Sequence, residues 1–149
     1  METLALLGLV SNVVQFVAFA KDLISTSIEV HQSSSGISDD ILHVNTVYGQ
    51  LSGFGAGIKM FVDADFEAQS DIAPALAVMR QLSLVCKVDC SRLLKITEKL
   101  QVNANDKSRW KSFKAGLRAI MEQNEISQME KRLDATQTAL TLHICTVLR

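Results

Sequence analysis

The chain has 149 residues, 48% hydrophobic and 21% charged, with one proline, seven glycines and 5% aromatics. That is enough apolar surface for one domain with a real core, and the composition excludes a disordered chain. A sandwich or barrel, which needs frequent turn residues, is disfavoured, and three widely split cysteines imply no disulfide framework and fit a reducing compartment. The net charge of −1 hides a polarity: residues 1–75 set Lys21 and Lys59 against nine acidic side chains, a net of −7, while 76–149 carries thirteen basic against seven acidic, a net of +6.

The first thirty residues read as one helix. Leu4, Leu7, Val10, Val14, Val17, Leu23, Ile24 and Ile28 fall mostly three or four apart, with Gly8, Ser11, Gln15, Asp22 and Glu29 opposite. Of these, Leu7, Val10, Val14 and Val17 are the expected core contacts. Leu4–Ala20 carries no charge. As a secretory signal it lacks a positive leading region, and Ser11, Asn12 and Gln15 interrupt it. As a constitutive membrane span it is short of the ~20 residues needed. As the most buried helix of a bundle it is ordinary, and a fourth reading has it pack in the soluble form and enter a bilayer on release.

The serine-rich 33–38 segment breaks the pattern, and Ser38-Asp39-Asp40 is a helix start. A second helix is expected from about Asp39 to Val62 on Ile41, Leu42, Val44, Val47, Leu51, Phe54, Ile58 and Phe61. Gly49, Gly53, Gly55 and Gly57 weaken it by up to ~1 kcal/mol each, so a kink or early end near Gly53–Gly57 is expected. Gly49, Gly53 and Gly57, four apart beside Ser52 and Ala56, also form a small-residue ridge of the kind that lets helices approach closely. A kinked soluble helix is the favoured reading of it. The segment GFGAGIK superficially resembles a phosphate loop but has neither the Gly-Lys-Ser/Thr ending nor a preceding strand.

An acidic loop follows, and Pro74 opens a third helix running from about Ile72 to Val102. Its inner stripe is Met79, Leu82, Cys86, Leu93, Thr97 and Leu100. After an Asn/Asp-rich loop at 103–108, a short fourth helix is marked by Trp110, Phe113, Leu117 and Ile120. Asn124 reads as a break and cap. Ile126, Met129, Leu133, Thr136, Leu140, Ile144 and Val147 mark the last helix. The fold expected is all-α, an antiparallel bundle of four to five helices with the first helix central.

Little of this pattern carries chemistry. His31, His43 and His143 are scattered, and no Ser-His-Asp or Cys-His set has a local signature, so the chain reads as no enzyme, with no cofactor. Cys86 and Cys90 stand one helical turn apart, as a zinc pair would. His143 and Cys145, two apart, point to different faces and do not complete the site; a buried-core role for all three cysteines is preferred. The basic run is more pronounced: Arg80, Lys87, Arg92, Lys95, Lys99, Lys107, Arg109, Lys111, Lys114 and Arg118 face only Asp89, Glu98 and Asp106 within 80–118, a net of +7. A solvated helix face is the common cause of such a run. As a binding surface it suits anionic lipid headgroups. Nucleic acid is not expected, since Trp110 and Phe113 fit the inner stripe rather than a stacking platform. The final LTLHICTVLR is apolar and uncapped, so the chain is expected to be the front end of something longer.

Two stretches carry a family resemblance. LALLGLVSNVVQFVAFAKDLISTSIEVHQSSSGIS opens the chain, and SRWKSFKAGLRAIMEQNEISQMEKRLDATQTALTLHICTVLR closes it. Both are similar to the N-terminal domains of fungal NOD-like (NACHT or related STAND) receptors, with their Trp-x-Ser-Phe, Glu-Ile, Arg-Leu and Leu-x-x-His pattern. The glycine-rich second helix and Gly116–Ala119 depart from that pattern. The resemblance implies a HeLo-like helical bundle related to necroptosis-type four-helix bundles, here a single effector domain over 1–149. It implies a nucleotide-binding oligomerisation domain and repeats downstream in cis. It further implies a cytoplasmic protein that self-associates on activation, moves to anionic plasma-membrane lipids and causes programmed cell death in heterokaryon incompatibility or defence. On this reading Leu4, Leu7, Val10, Ser11, Val14, Phe16, Val17 and Phe19 enter the membrane. Lys87, Arg92, Lys95, Lys99, Lys107, Arg109, Lys111, Lys114 and Arg118 meet headgroups. The alternative is a helical interaction and oligomerisation module without membrane activity.

Overall fold

A computed structural model describes residues 2–24, 38–64, 73–102 and 113–148. Among them the chain is all-α, with helices α1 (Glu2–Ile24), α2 (Ser38–Asp63), α3 (Ala73–Val102), α4 (Phe113–Ile120) and α5 (Gln123–Val147) and no strand. The expected extension of the first helix to residue 30, the turn at 33–38 and most of both expected loops lie outside the described residues.

Side-chain pairs give the directions. Tyr48 in the first half of α2 reaches Glu98 near the end of α3, while Arg80 near the start of α3 reaches the Ala64 carbonyl just past α2. These two helices are therefore antiparallel. Asn12 lies over Gly57, and Phe16 and Phe19 both pack on Phe54, so α1 is antiparallel to α2. Asp89 with Arg132 and Arg92 with Glu125 run α5 antiparallel to α3. Helix α1 touches each of the other four helices, as expected of a central element, and α3 shares that position.

The core draws on all five helices: Phe16 and Val17 of α1, Leu51, Ile58 and Phe61 of α2, Met79 and Leu93 of α3, Leu117 of α4, and Met129, Leu133 and Leu140 of α5. On α1 the buried arc is wider than expected. Val10 and Val17 are buried together with Val13, Phe16, Ala20, Leu23 and Ile24, whereas Leu7 and Val14 are only half-buried. A helix with neighbours on several sides buries more than one stripe. On α3, Leu82 is half-buried and Ser83 takes a core position, its hydroxyl returned to the Met79 carbonyl at 2.7 Å.

Two expectations are corrected. The α2 helix runs to Asp63, the end that its apolar period predicts, and only the expected early end at its glycines is overturned. Tertiary packing outweighs the propensity cost there: Leu51, Ile58 and Phe61 are buried, and Gly57 lets α1 approach so closely that a Cβ would lie 2.8 Å from Asn12 Cγ and 2.9 Å from its Cβ. The second correction concerns Asn124, which is an exposed residue in the first turn of α5. The chain turns instead at Glu122, in extended backbone (φ −68°, ψ 148°), directly after Met121, which is buried just beyond the end of α4. Glu125 then lies in the first turn, where the helix dipole favours an acid.

The glycines give a paired prediction. Gly53 has nothing within 4 Å of an added Cβ, so Gly53→Ala should stabilise the bundle by about 0.5–1 kcal/mol. Gly57→Ala gains the same propensity but pushes against Asn12 Cβ, which no side-chain rotation moves, and overpacking costs about 1–3 kcal/mol. Urea midpoints should shift in opposite directions; a rise for both would contradict the close α1–α2 contact.

Candidate functional site: the apolar first helix and the outer face of α3

Helix α1 combines two characters. Its window Leu7–Ile24 has a mean hydropathy of 1.5 over 18 residues, and 39% of it is buried. At 1.5 Å per residue it spans about 27 Å, close to the ~30 Å of a hydrocarbon core. Among the described residues it is the one helix that is long and apolar enough to cross a membrane, a criterion that the core helix of a soluble protein also meets. Val10, Phe16 and Val17 face the core; Leu7, Val14 and Phe19 are half-buried; Ser11 is exposed, its hydroxyl donating to the Gly8 carbonyl at 2.8 Å. Leu4 lies on α1, but its side chain is outside the described residues.

What holds α1 in place is mostly apolar. Phe16 meets Phe54 edge-on, with ring centroids 6.3 Å apart and planes at 67°, and Phe19 tilts against the same ring at 5.4 Å. One polar tether was not foreseen: Lys21 Nζ donates to Asp134 Oδ1 and Gln137 Oε1 of α5, both at 2.7 Å. Asp134 is well exposed, so the ion pair is worth only ~0–1 kcal/mol.

The basic residues divide by their partners. Lys87, Lys95 and Lys99 are exposed on α3 and make no ion pair with a described residue. Arg92 is engaged by Glu125, and Arg80 is half-buried and turned to the Ala64 carbonyl. Arg118 is exposed on α4 and has a partner as well. Lys107, Arg109 and Lys111 lie outside the described residues, as does the Lys114 side chain. Four of the expected headgroup residues, Lys87, Arg92, Lys95 and Lys99, are thus brought together on one helix.

The same face carries residues that the charge pattern did not reveal. Leu84, Val85 and Val88 are exposed, Val88 by 68%. Leu84, Lys87, Val88, Ser91, Arg92 and Lys95 line a shallow depression of about 590 Å³, all from α3. The signal was present in Leu82, Leu84, Val85 and Val88, apolar residues at spacings that cannot all face inward on one helix.

The buried acid Asp89 is a structural group. Its Oδ1 accepts from Arg132 at 2.8 Å, while Oδ2 is buried without a hydrogen-bond partner. Cys86 and Cys90 are buried beside it, as expected of core cysteines. Burial pushes the Cys86 thiol up to about 12, with Asp89 and Cys90 adding to the effect, and pushes Cys90 up to about 11. Cys90 Sγ donates to the Leu51 carbonyl at 3.4 Å. Cys145 is a correction: it is exposed, because it falls outside the α5 stripe of Ile126, Met129, Leu133, Thr136 and Leu140. No group of three His, Cys, Asp or Glu that could hold a metal ion occurs among the described residues.

Neither a protein-family model nor a curated protein nor a solved structure matches the chain significantly.

Proposed function

We propose that this chain is the N-terminal effector domain of a fungal NOD-like receptor, which oligomerises on activation and permeabilises the plasma membrane through α1. The observation that carries the reading is the double character of Leu7–Ile24: apolar enough to span a bilayer, yet folded into a bundle by the burial of its most apolar arc. In the resting cytoplasmic form that arc is satisfied by α2, α3 and α5. Clustering, driven by nucleotide-binding and repeat domains in cis, supplies many copies of α1 at one patch of membrane. Release exchanges the protein core around Phe16 for lipid, so the apolar arc of α1 itself stays out of water, and the tether at Lys21 is weak. The activity is not enzymatic and needs no cofactor or metal. Programmed cell death is its outcome.

A second reading, an assembly module without lipid activity, is favoured by the exposed small-residue face of α2, where Gly49, Ser52, Gly53 and Ala56 leave the backbone open to a partner.

Ser11→Glu separates the two. Ser11 is exposed in the bundle, so the variant should fold and melt as the parent does. A charge inside an inserted helix costs up to about 2.5–3.5 kcal/mol, so leakage of anionic liposomes by a forced oligomer, and killing of fungal cells on overexpression, should be lost. Full leakage by a folded Ser11→Glu oligomer would place the assembly module ahead.

A further inference from the structure

Helix α3 buries Met79, Cys86, Cys90, Leu93, Ile96 and Leu100, yet shows a second apolar arc to solvent. Val78, Leu84, Val85 and Val88 are all exposed along about 15 Å of the helix. Single exposed apolar residues such as Val78 are ordinary, whereas Leu84, Val85 and Val88 adjoin on one face and together call for a partner. Immediately after Val88 the same face turns basic, with Arg92, Lys95 and Lys99, and Lys87 flanks it. The acids nearby cancel this charge only in part: Asp89 is buried and paired with Arg132, Glu125 offsets Arg92, and exposed Glu98, which accepts from Tyr48 at 3.4 Å, keeps its charge, so Lys87, Lys95 and Lys99 leave the face net positive.

We propose that this outer face of α3 docks the folded bundle on an anionic bilayer, with Leu84, Val85 and Val88 dipping below the headgroups and Lys87, Lys95 and Lys99 set on lipid phosphates. The inference rests on the reading above for its choice of a lipid partner, and it adds a docking step that precedes any release of α1. Shape favours a bilayer over a partner helix. A helix partner lies in a groove with walls from two elements, whereas the described residues lining this shallow surface all come from α3. A deformable, negatively charged surface with an apolar layer beneath accepts a ridge of mixed apolar and basic side chains. The lysines bring the face to the membrane and weaken with salt; the apolar side chains hold it once there.

The test places a polarity-sensitive nitrobenzoxadiazole label at Val88→Cys in a Cys145→Ser background. Cys86 and Cys90 are buried and stay unlabelled in the folded domain. With phosphatidylserine/phosphatidylcholine vesicles the emission should rise several-fold and shift to the blue, with no change on pure phosphatidylcholine. The same label at Ala135→Cys, exposed on α5, should stay in water. Lys95→Glu with Lys99→Glu should abolish the change. If the vesicles bind and leak while the label at 88 keeps its aqueous emission, another face docks and the proposal falls, with the effector reading intact. If the label shifts but forced oligomers never cause leakage, the docking face stands and the permeabilisation reading falls. A rise that needs no vesicles and grows with protein concentration would assign the ridge to a second copy of the chain and overturn the proposal. Failure of the protein to sediment with vesicles at any salt concentration would overturn both.

Discussion

Phe16→Ala should cost the bundle about 3–5 kcal/mol, a large part of the ~5–15 kcal/mol that holds a domain of this size together. Phe16 has no exposed surface and lies in the centre of α1. Its ring fills the space between α1 and α2 and meets Phe54 edge-on, a contact worth about 0.5–1.5 kcal/mol beyond the area buried. Truncation leaves a cavity lined by groups from two long helices that the glycine contact at Gly57 already holds close together, so collapse is limited. Urea denaturation should show a much lower midpoint with an unchanged slope. Ala18→Ser, on the exposed side of the same helix, should shift it by less than about 0.5 kcal/mol. A loss below 1 kcal/mol for Phe16→Ala would mean that α1 is not packed as described.

The helices were legible from spacing because burial on one side of a helix imposes a period near 3.6 on its apolar residues. Leu51, Ile58 and Phe61, like Ile126, Met129, Leu133 and Leu140, are buried as that period requires. Features that depend on another part of the chain were not legible. The close approach of Asn12 of α1 to Gly57, and of Cys90 and Leu94 of α3 to Gly55, joins distant segments, and nothing in the period of α2 announces it. The turn falls at Glu122, next to buried Met121, whereas Asn124 carries the stronger local signal for a break. The pairing of Asp89 with Arg132 joins residues 43 positions apart, and no pattern in either segment announces it. The basic character of α3 was plain from composition, but the division between free lysines and engaged arginines needed Glu125 and the Ala64 carbonyl in space. Val88 shows the limit of an inner-stripe argument, which names the residues that face inward and says nothing of the apolar ones left outside.

On the proposed function α1 leaves the bundle to act, so a covalent lock that holds it there should abolish permeabilisation. A Cβ at residue 57 would lie 2.9 Å from the Cβ of Asn12. A disulfide spans about 3.5–4.5 Å between Cβ atoms, so Asn12→Cys with Gly57→Cys can be bridged by separating the helices by roughly 1 Å, and the first substitution also removes the amide that crowds Gly57. The oxidised protein, with the bridge verified by mass spectrometry and the helix content by circular dichroism, is assembled into forced oligomers and added to dye-loaded phosphatidylserine liposomes. Vesicles should be bound without leakage while the bridge is intact, and should leak at the parent's rate once dithiothreitol opens it. Equal leakage from the oxidised and reduced forms would contradict the proposed function, because α1 would then permeabilise the bilayer without leaving α2.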